Sequence, residues 1–295
     1  MTRVRAALWA AVVLGIPAAG WGFEGTLKLR TVVVDRAQLG KVTGAAAPSA
    51  DEALAITSTQ LIEAKGAGAE MRESMVYMNA VKVRMDLPLE KNKDGYAIID
   101  TEKDTTWFVI PGEKRCIEWS KEDAKVMNEK MVQLEKMMTE RMGSLPPDQQ
   151  AQVKVMLDKM KGPAGGEAAA AESLKPTGKS ETINGYSASS YRVQSGEEIM
   201  LGWVTQDQPE IAKTLQTVQS RLEKMTPPSL RGRQAARNAL GMKGLPLRVH
   251  TLDPVHYRVE EVVAVEKKPL AADVFSVPAG FTKQTARDAM KNIGP

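Results

Sequence analysis

The residues in this chain that could do chemistry are few. Two histidines, His250 and His256, flank Asp253-Pro254. A loop at Asp253-Pro254 sets His250 against Tyr257 and His256 against Thr251, on opposite faces of a hairpin, where they cannot share a metal. A three-residue loop reverses this. Cys116 is the single cysteine. No histidine stands near it in sequence to activate a thiolate, so it reads as a small buried hydrophobe, and the chain has no internal disulfide. Asp86, Asp100 and Asp104 fall at strand ends, the ordinary place for turn and edge acids. There is no Gly-x-Ser-x-Gly elbow, no phosphate-cradling loop and no cysteine pair at zinc spacing. The expectation is a protein without catalysis and without a cofactor.

Methionine is the enriched residue type. There are 16, and seven fall between Met127 and Met160. Three readings stay open, in this order. Met127, Met131, Leu134, Met138 and Met142 make the inward stripe that any packed helix needs. The same unbranched, polarizable side chains form an adaptable surface toward a ligand or partner. Met127/Met131 and Met138/Met142, each one turn apart, offer thioether sulfur to the soft ion Cu(I). The aromatic residues Trp107, Trp119 and Trp203 lie in strand-like stretches and could wall an apolar hollow.

These residues are positioned by two textures of sequence. Val81-Lys82-Val83-Arg84-Met85-Asp86-Leu87 alternates apolar and charged, the pattern of a strand with one apolar face and one face in water. Asn79-Ala80 before it reads as a tight turn. About eleven such strands can be counted, with short turn signals at Asp100 to Asp104, Pro111-Gly112-Glu113, Asn184-Gly185 and Ser195-Gly196, so neighbours pair antiparallel. Helical spacing appears over 121–142, 148–161, 207–225 and 234–240, and more weakly over 49–65. In 207–225, Ile211, Leu215, Val218, Leu222 and Met225 form one stripe. Asp207 is placed to cap that helix, with Glu210 three residues on, and Pro227-Pro228 stops it. Strands interrupted by helices that pack against them give an α+β fold.

Residues 1–22 carry Arg3 and Arg5, an apolar run from Leu8 to Ile16 and a small-residue exit, the plan of a cleavable secretory signal. The cut is expected after Gly20 or Gly22, and the run is too short to span a membrane. A periplasmic or secreted protein is therefore expected, with no transmembrane span after signal removal. The net charge is +4 over the whole chain. It is close to neutral once Arg3 and Arg5 are gone, with no basic face for nucleic acid.

Several stretches resemble an uncharacterised family of exported bacterial proteins, a domain of unknown function related in fold to the LolA and LolB lipoprotein carriers. The hairpin Val76-Tyr77-Met78-Asn79-Ala80-Val81-Lys82-Val83-Arg84-Met85-Asp86 resembles its early Lys-x-Arg strand pair. Tyr96 to Asp100 and Thr105 to Trp119 resemble the next meander. Pro176 to Tyr186 is the most specific match, Trp203-Val204-Thr205 follows, and Val274 to Phe281 resembles the ending. The resemblance implies a curved, incompletely closed antiparallel sheet, a LolA-like half-barrel, with helices on its concave face. It divides the chain into a signal at 1–22, one domain over 23–281 with inserted segments 36–73, 120–175 and 207–241, and a polar tail at 282–295. Relatives of that shape carry acyl chains in the hollow. The expected function is a cell-envelope protein binding a lipid or lipoprotein through Met127, Met131, Leu134, Met138, Trp107, Trp119 and Trp203. The alternatives are a module whose helices fill the hollow and that recruits an envelope protein partner, and Met-based Cu(I) buffering.

Overall fold

A computed structural model describes residues 23–45, 48–64, 68–90, 93–142, 150, 174–195, 197–225 and 235–291. The strands are β1 Gly25–Asp35, β2 Glu70–Met78, β3 Lys82–Glu90, β4 Lys93–Asp100, β5 Thr105–Ile110, β6 Arg115–Ser120, β7 Lys175–Ile183, β8 Tyr186–Ser195, β9 Glu198–Thr205, β10 Leu245–Leu252, β11 His256–Lys267 and β12 Thr282–Thr285. They form one sheet in the order β12-β6-β5-β4-β3-β2-β1-β11-β10-β9-β8-β7. The sheet is curved and not closed into a barrel, and the fold is α+β as expected.

Two meanders, β1 to β6 and β7 to β11, are sewn together by β1 against β11, from Gly25↔Lys267 to Asp35↔His256. Every pairing among the described residues is antiparallel except β12 on β6. β12 and a short helix after it come from the stretch read as a polar tail. Their sequence is too short and too polar for periodicity to reveal them.

Turn chemistry explains the hairpins. At β2–β3 the Asn79 Oδ1 accepts from the N–H groups of Val81 (3.1 Å) and Lys82 (2.8 Å). The side chain, rather than a positive φ at Asn79, makes that turn. At β7–β8, Asn184 (φ 53°) and Gly185 (φ 83°) both take the left-handed region that a two-residue hairpin loop demands. At β10–β11 the loop lies one residue later than Asp253-Pro254. Asp253 Oδ1 accepts from Val255 N–H (2.7 Å) and His256 N–H (2.6 Å), so Pro254 and Val255 are the central pair. His250 therefore faces Val259, not Tyr257.

The helices are α1 Gly40–Thr43, α2 Ala50–Leu54, α3 Ser58–Glu63, α4 Lys121–Met142, α5 Pro209–Met225, α6 Ala235–Gly241 and α7 Ala286–Lys291. The weak helical signal over 49–65 resolves into α2 and α3, each opened by its own capping box, Ser49/Glu52 and Thr57/Gln60. Ser120 and Asp123 form a further box at the root of α4, with Asp123 Oδ2 accepting from Ser120 N–H (3.1 Å). Asp207 does not cap α5. Its Oδ2 accepts from Ser187 N–H (2.9 Å), and the helix opens at Pro209 from the Gln208 carbonyl. The expected helix over 148–161 lies outside the described residues, apart from Gln150.

The sheet is buried on both faces. The main core takes Leu27, Val76, Met78, Val83, Met85, Ala97, Ile99, Ile117 and Trp119 from the strands, with Ala124 of α4, Ile211, Leu215 and Val218 of α5, and Ala286 and Ala289 of α7. The alternate residues of the same strands serve other clusters. Val32 and Val34 pack with α2 and α3, and Ile98 and Cys116 with Phe275. The even positions Arg84 and Asp86 of β3 are accordingly not left fully in water: Arg84 reaches residues 270–281 at Val274, Asp86 faces Arg84, and both are only partly exposed.

Candidate functional site

The apolar interior beneath α4 and α5 is the candidate site. It is built from alternating strand residues below and one helical stripe above. Trp119, next to last in β6, is 4% exposed. Trp203, near the end of β9, is 9% exposed, and both belong to the main core. They come from different meanders, so one apolar cluster runs across the seam of the sheet. α5 lays Ile211, Leu215 and Val218 on this cluster, each 2% exposed or less. Trp107 is not part of this wall. Phe108 takes the main-core side of β5, so its neighbour Trp107 points the other way and packs against the cluster of Tyr96, Ile98, Val109, Cys116 and Phe275.

Met127, Met131, Leu134 and Met138 all belong to α4, but their side chains lie outside the described residues, as does that of Met142. Ala124 anchors the helix in the core, Val126 is half-buried, and Met137 is exposed.

A polar centre adjoins Trp203. The Arg248 guanidinium lies 5.3 Å from the Trp203 ring, donates from Nε to Glu261 Oε1 (3.0 Å) and from Nη1 to Glu181 Oε1 (2.6 Å). Ser58 Oγ of α3 donates to the other Glu261 oxygen (2.6 Å). His250 stands on the same face, its ring 4.9 Å from that of Trp203. Its Nδ1 is 2.7 Å from the Tyr257 hydroxyl, which in turn donates to the Ile56 carbonyl (2.9 Å). Burial raises the Tyr257 phenol pKa, so its one proton stays in place and is committed to Ile56. The two rings share one hydrogen bond, between His250 Nδ1 and the Tyr257 oxygen, and the Leu54 carbonyl also lies near the imidazole. Burial, then the Arg248 charge, push the His250 pKa down to about 3, against a smaller opposing pull from the Leu54 carbonyl. The ring is neutral, and it secures the link between α2 and α3. His256 pairs with Asp35 at the far end of β11 and is exposed. Among the described residues no three metal-ligating side chains converge.

Asp100 and Asp86 are held by turn and strand contacts. Asp100 (1% exposed) accepts from Glu102 and Lys103 N–H groups and faces Lys82 Nζ at 3.5 Å. Asp86 faces Arg84 at 3.5 Å. Burial lifts its pKa, and the Arg84 charge opposes the rise. Arg84 itself was not singled out from the sequence as a functional residue. Its guanidinium lies 3.8 Å from the Tyr96 ring and 5.1 Å from Tyr77, and Nη1 reaches the Val274 carbonyl at 3.4 Å. The signal was present: Tyr77, Arg84 and Tyr96 fall on one face of three successive strands. The Lys-x-Arg hairpin and the Val274 to Phe281 segment, 190 residues apart, thus meet through one side chain.

No curated protein matches the chain. Two crystal structures of PNGF-II, in space groups C2 and P21, are similar at 11% and 12% identity with a TM-score of 0.37 each. They cover 90% and 91% of this chain and 32% and 33% of the PNGF-II chains. This chain therefore spans about a third of the length of PNGF-II. A DUF1329 family protein from Desulfovibrio piger is similar at 9% identity over 93% of this chain and 97% of that one, with a TM-score of 0.23. Residues 95–281, from β4 through the segment that Arg84 holds, match the family described as a domain of unknown function, DUF4412. That match takes in the end of the first meander, from β4 to β6, and all of the second, and this chain belongs to that family.

Proposed function

We propose that this chain is an exported cell-envelope binding protein, without catalysis of its own, that holds an apolar ligand or the lipidated part of a partner between the sheet and helices α4 and α5. The observation that carries this reading is the shared cluster of Trp119 and Trp203. An apolar surface crossing both meanders is what an acyl chain needs, and each CH₂ buried there contributes about 0.8 kcal/mol. Polar recognition is not required for such a ligand. The leader-like residues 1–22 support export. No described helix is long and apolar enough to cross a membrane.

Among the described residues the interior side chains bury one another closely. The same close burial favours a second reading, in which the interior is filled and the module recruits an envelope protein through its surface. A fluorescent fatty-acid probe separates the two. Binding at about micromolar affinity, weakened about tenfold by Trp203→Ala, supports the first. Lipid-free protein that ignores the probe, with native mass spectrometry finding no bound apolar molecule, refutes it.

A further inference from the structure

The chain ends by passing around the β6 edge of the sheet. Residues 268–281 cross one face, tied down by Glu24, which accepts from the Leu270 N–H (2.7 Å), and by Arg84 at Val274, with Phe275 5% exposed. β12 then adds to β6 in parallel, and α7 folds onto the opposite face. There Ala286 and Ala289 join the cluster that holds Trp119 and Ala124. The last unit thus stops the β6 end of the apolar interior.

Its hold is slight compared with the segment before it. β12 is four residues long and has a neighbour on one side only. Three of its four residues are exposed. α7 has six residues, far below the length at which a helix persists without packing, and among its described side chains two alanines reach the core. Gly280, just before the unit, takes φ +79° with nothing within 4 Å of a would-be Cβ, a free joint between the anchored segment and β12. The unit also touches the root of α4. Asp123 closes the α4 capping box with one carboxylate oxygen and faces Arg287 Nε at 3.9 Å with the other.

We infer that β12 and α7 form a strap that opens at Gly280 and Phe281, uncovers the Trp119 end of the interior and admits the apolar ligand there. This rests on the binding reading above. The strap's motion and the ligand's passage are one event, because the helix that leaves is the one that shares Asp123 with α4.

The register supplies the test. Lys283 pairs directly with Cys116, the only cysteine. Adjacent strands lie about 4.8 Å apart, within disulfide range, so Lys283→Cys can pin the strap to β6. The Cys116 thiol pKa is pushed up to about 11, first of all by burial, so the bridge is made with an added oxidant at alkaline pH. Hydrogen exchange on the full chain is expected to be about 100-fold faster at residues 283–290 than at Ile98 and Ile99 of β4. Oxidised Lys283→Cys should take up the fluorescent fatty-acid probe about tenfold more slowly than the same protein reduced. Thr285→Ala, which removes the hydroxyl accepting from Asp288 N–H (3.1 Å), should quicken uptake about threefold. Equal uptake by the oxidised and reduced forms, or exchange at β12 as slow as in β4, overturns the strap and leaves the binding reading standing. Failure of every form to take up the probe overturns the binding reading, and the strap's role as its gate with it.

Discussion

Acid should unfold this protein through His250, and the size of the effect follows from the site. In the fold the ring titrates at about 3, and in the unfolded chain at about 6.5. The groups facing it are Arg248 on its own strand, Tyr257 on β11 and the Leu54 carbonyl of α2. A folded pKa below the unfolded one means that the unfolded state binds the proton first. Stability from this group is therefore complete above about pH 6.5 and declines as pH falls toward about 3, with a slope approaching 1.4 kcal/mol per pH unit. Between about pH 7 and pH 5 the loss is about 2 kcal/mol. Urea unfolding followed by tryptophan fluorescence, run on the natural chain and on His250→Gln, isolates it, since carboxylates titrate in both proteins and cancel. The natural chain should lose about 2 kcal/mol more than the variant over that interval. Parallel losses in the two proteins would refute the assignment of a buried neutral imidazole.

Two further substitutions test the packing on either face. Gly202→Ala places a Cβ 2.9 Å from both terminal carbons of Leu240, which is 1% exposed, so α6 must shift. We expect a loss of about 1–3 kcal/mol in thermal unfolding, partly recovered when Leu240→Ala is added; a neutral single variant would show that α6 yields freely. Arg84→Lys keeps the charge but loses the planar contact with Tyr77 and Tyr96. It should cost about 1–2 kcal/mol and speed amide exchange over residues 270–281, and unchanged exchange there would count against the clamp.

Period-two alternation and turn residues were enough to locate most strands, and Asn184-Gly185 marked its hairpin without ambiguity. The same alternation misled about the second face of the sheet. Arg84 and Asp86 look solvated in sequence because a charged residue opposite an apolar one normally is. Residues 270–281, almost 200 positions away, meet Arg84 at Val274, and no local pattern carries that information. The Pro254 shift shows a finer limit. Proline is at home as the first central residue of a turn, yet Asp253 looked equally like part of the loop, and its carboxylate in fact closes the turn from just outside. Trp119 and Trp203 were legible, with Trp107, as strand residues that could wall an apolar hollow, but not as members of one cluster. Trp107 was not separable from them, because strand parity fixes which residues share a side but not which side meets the helices.

The seam between β1 and β11 joins residues as far apart as Asp35 and His256, 221 positions along the chain. Closing so long a segment costs entropy before any contact rewards it, and pairing of this kind is slow. β1 must wait, one edge without its mate, until nearly the whole polypeptide exists. The two meanders can each gather locally, but the product becomes a single cooperative body only in the last stage of folding, when its first strand finds its eleventh. Substitutions in that seam should act on the rate of maturation more than substitutions in any other pair of strands.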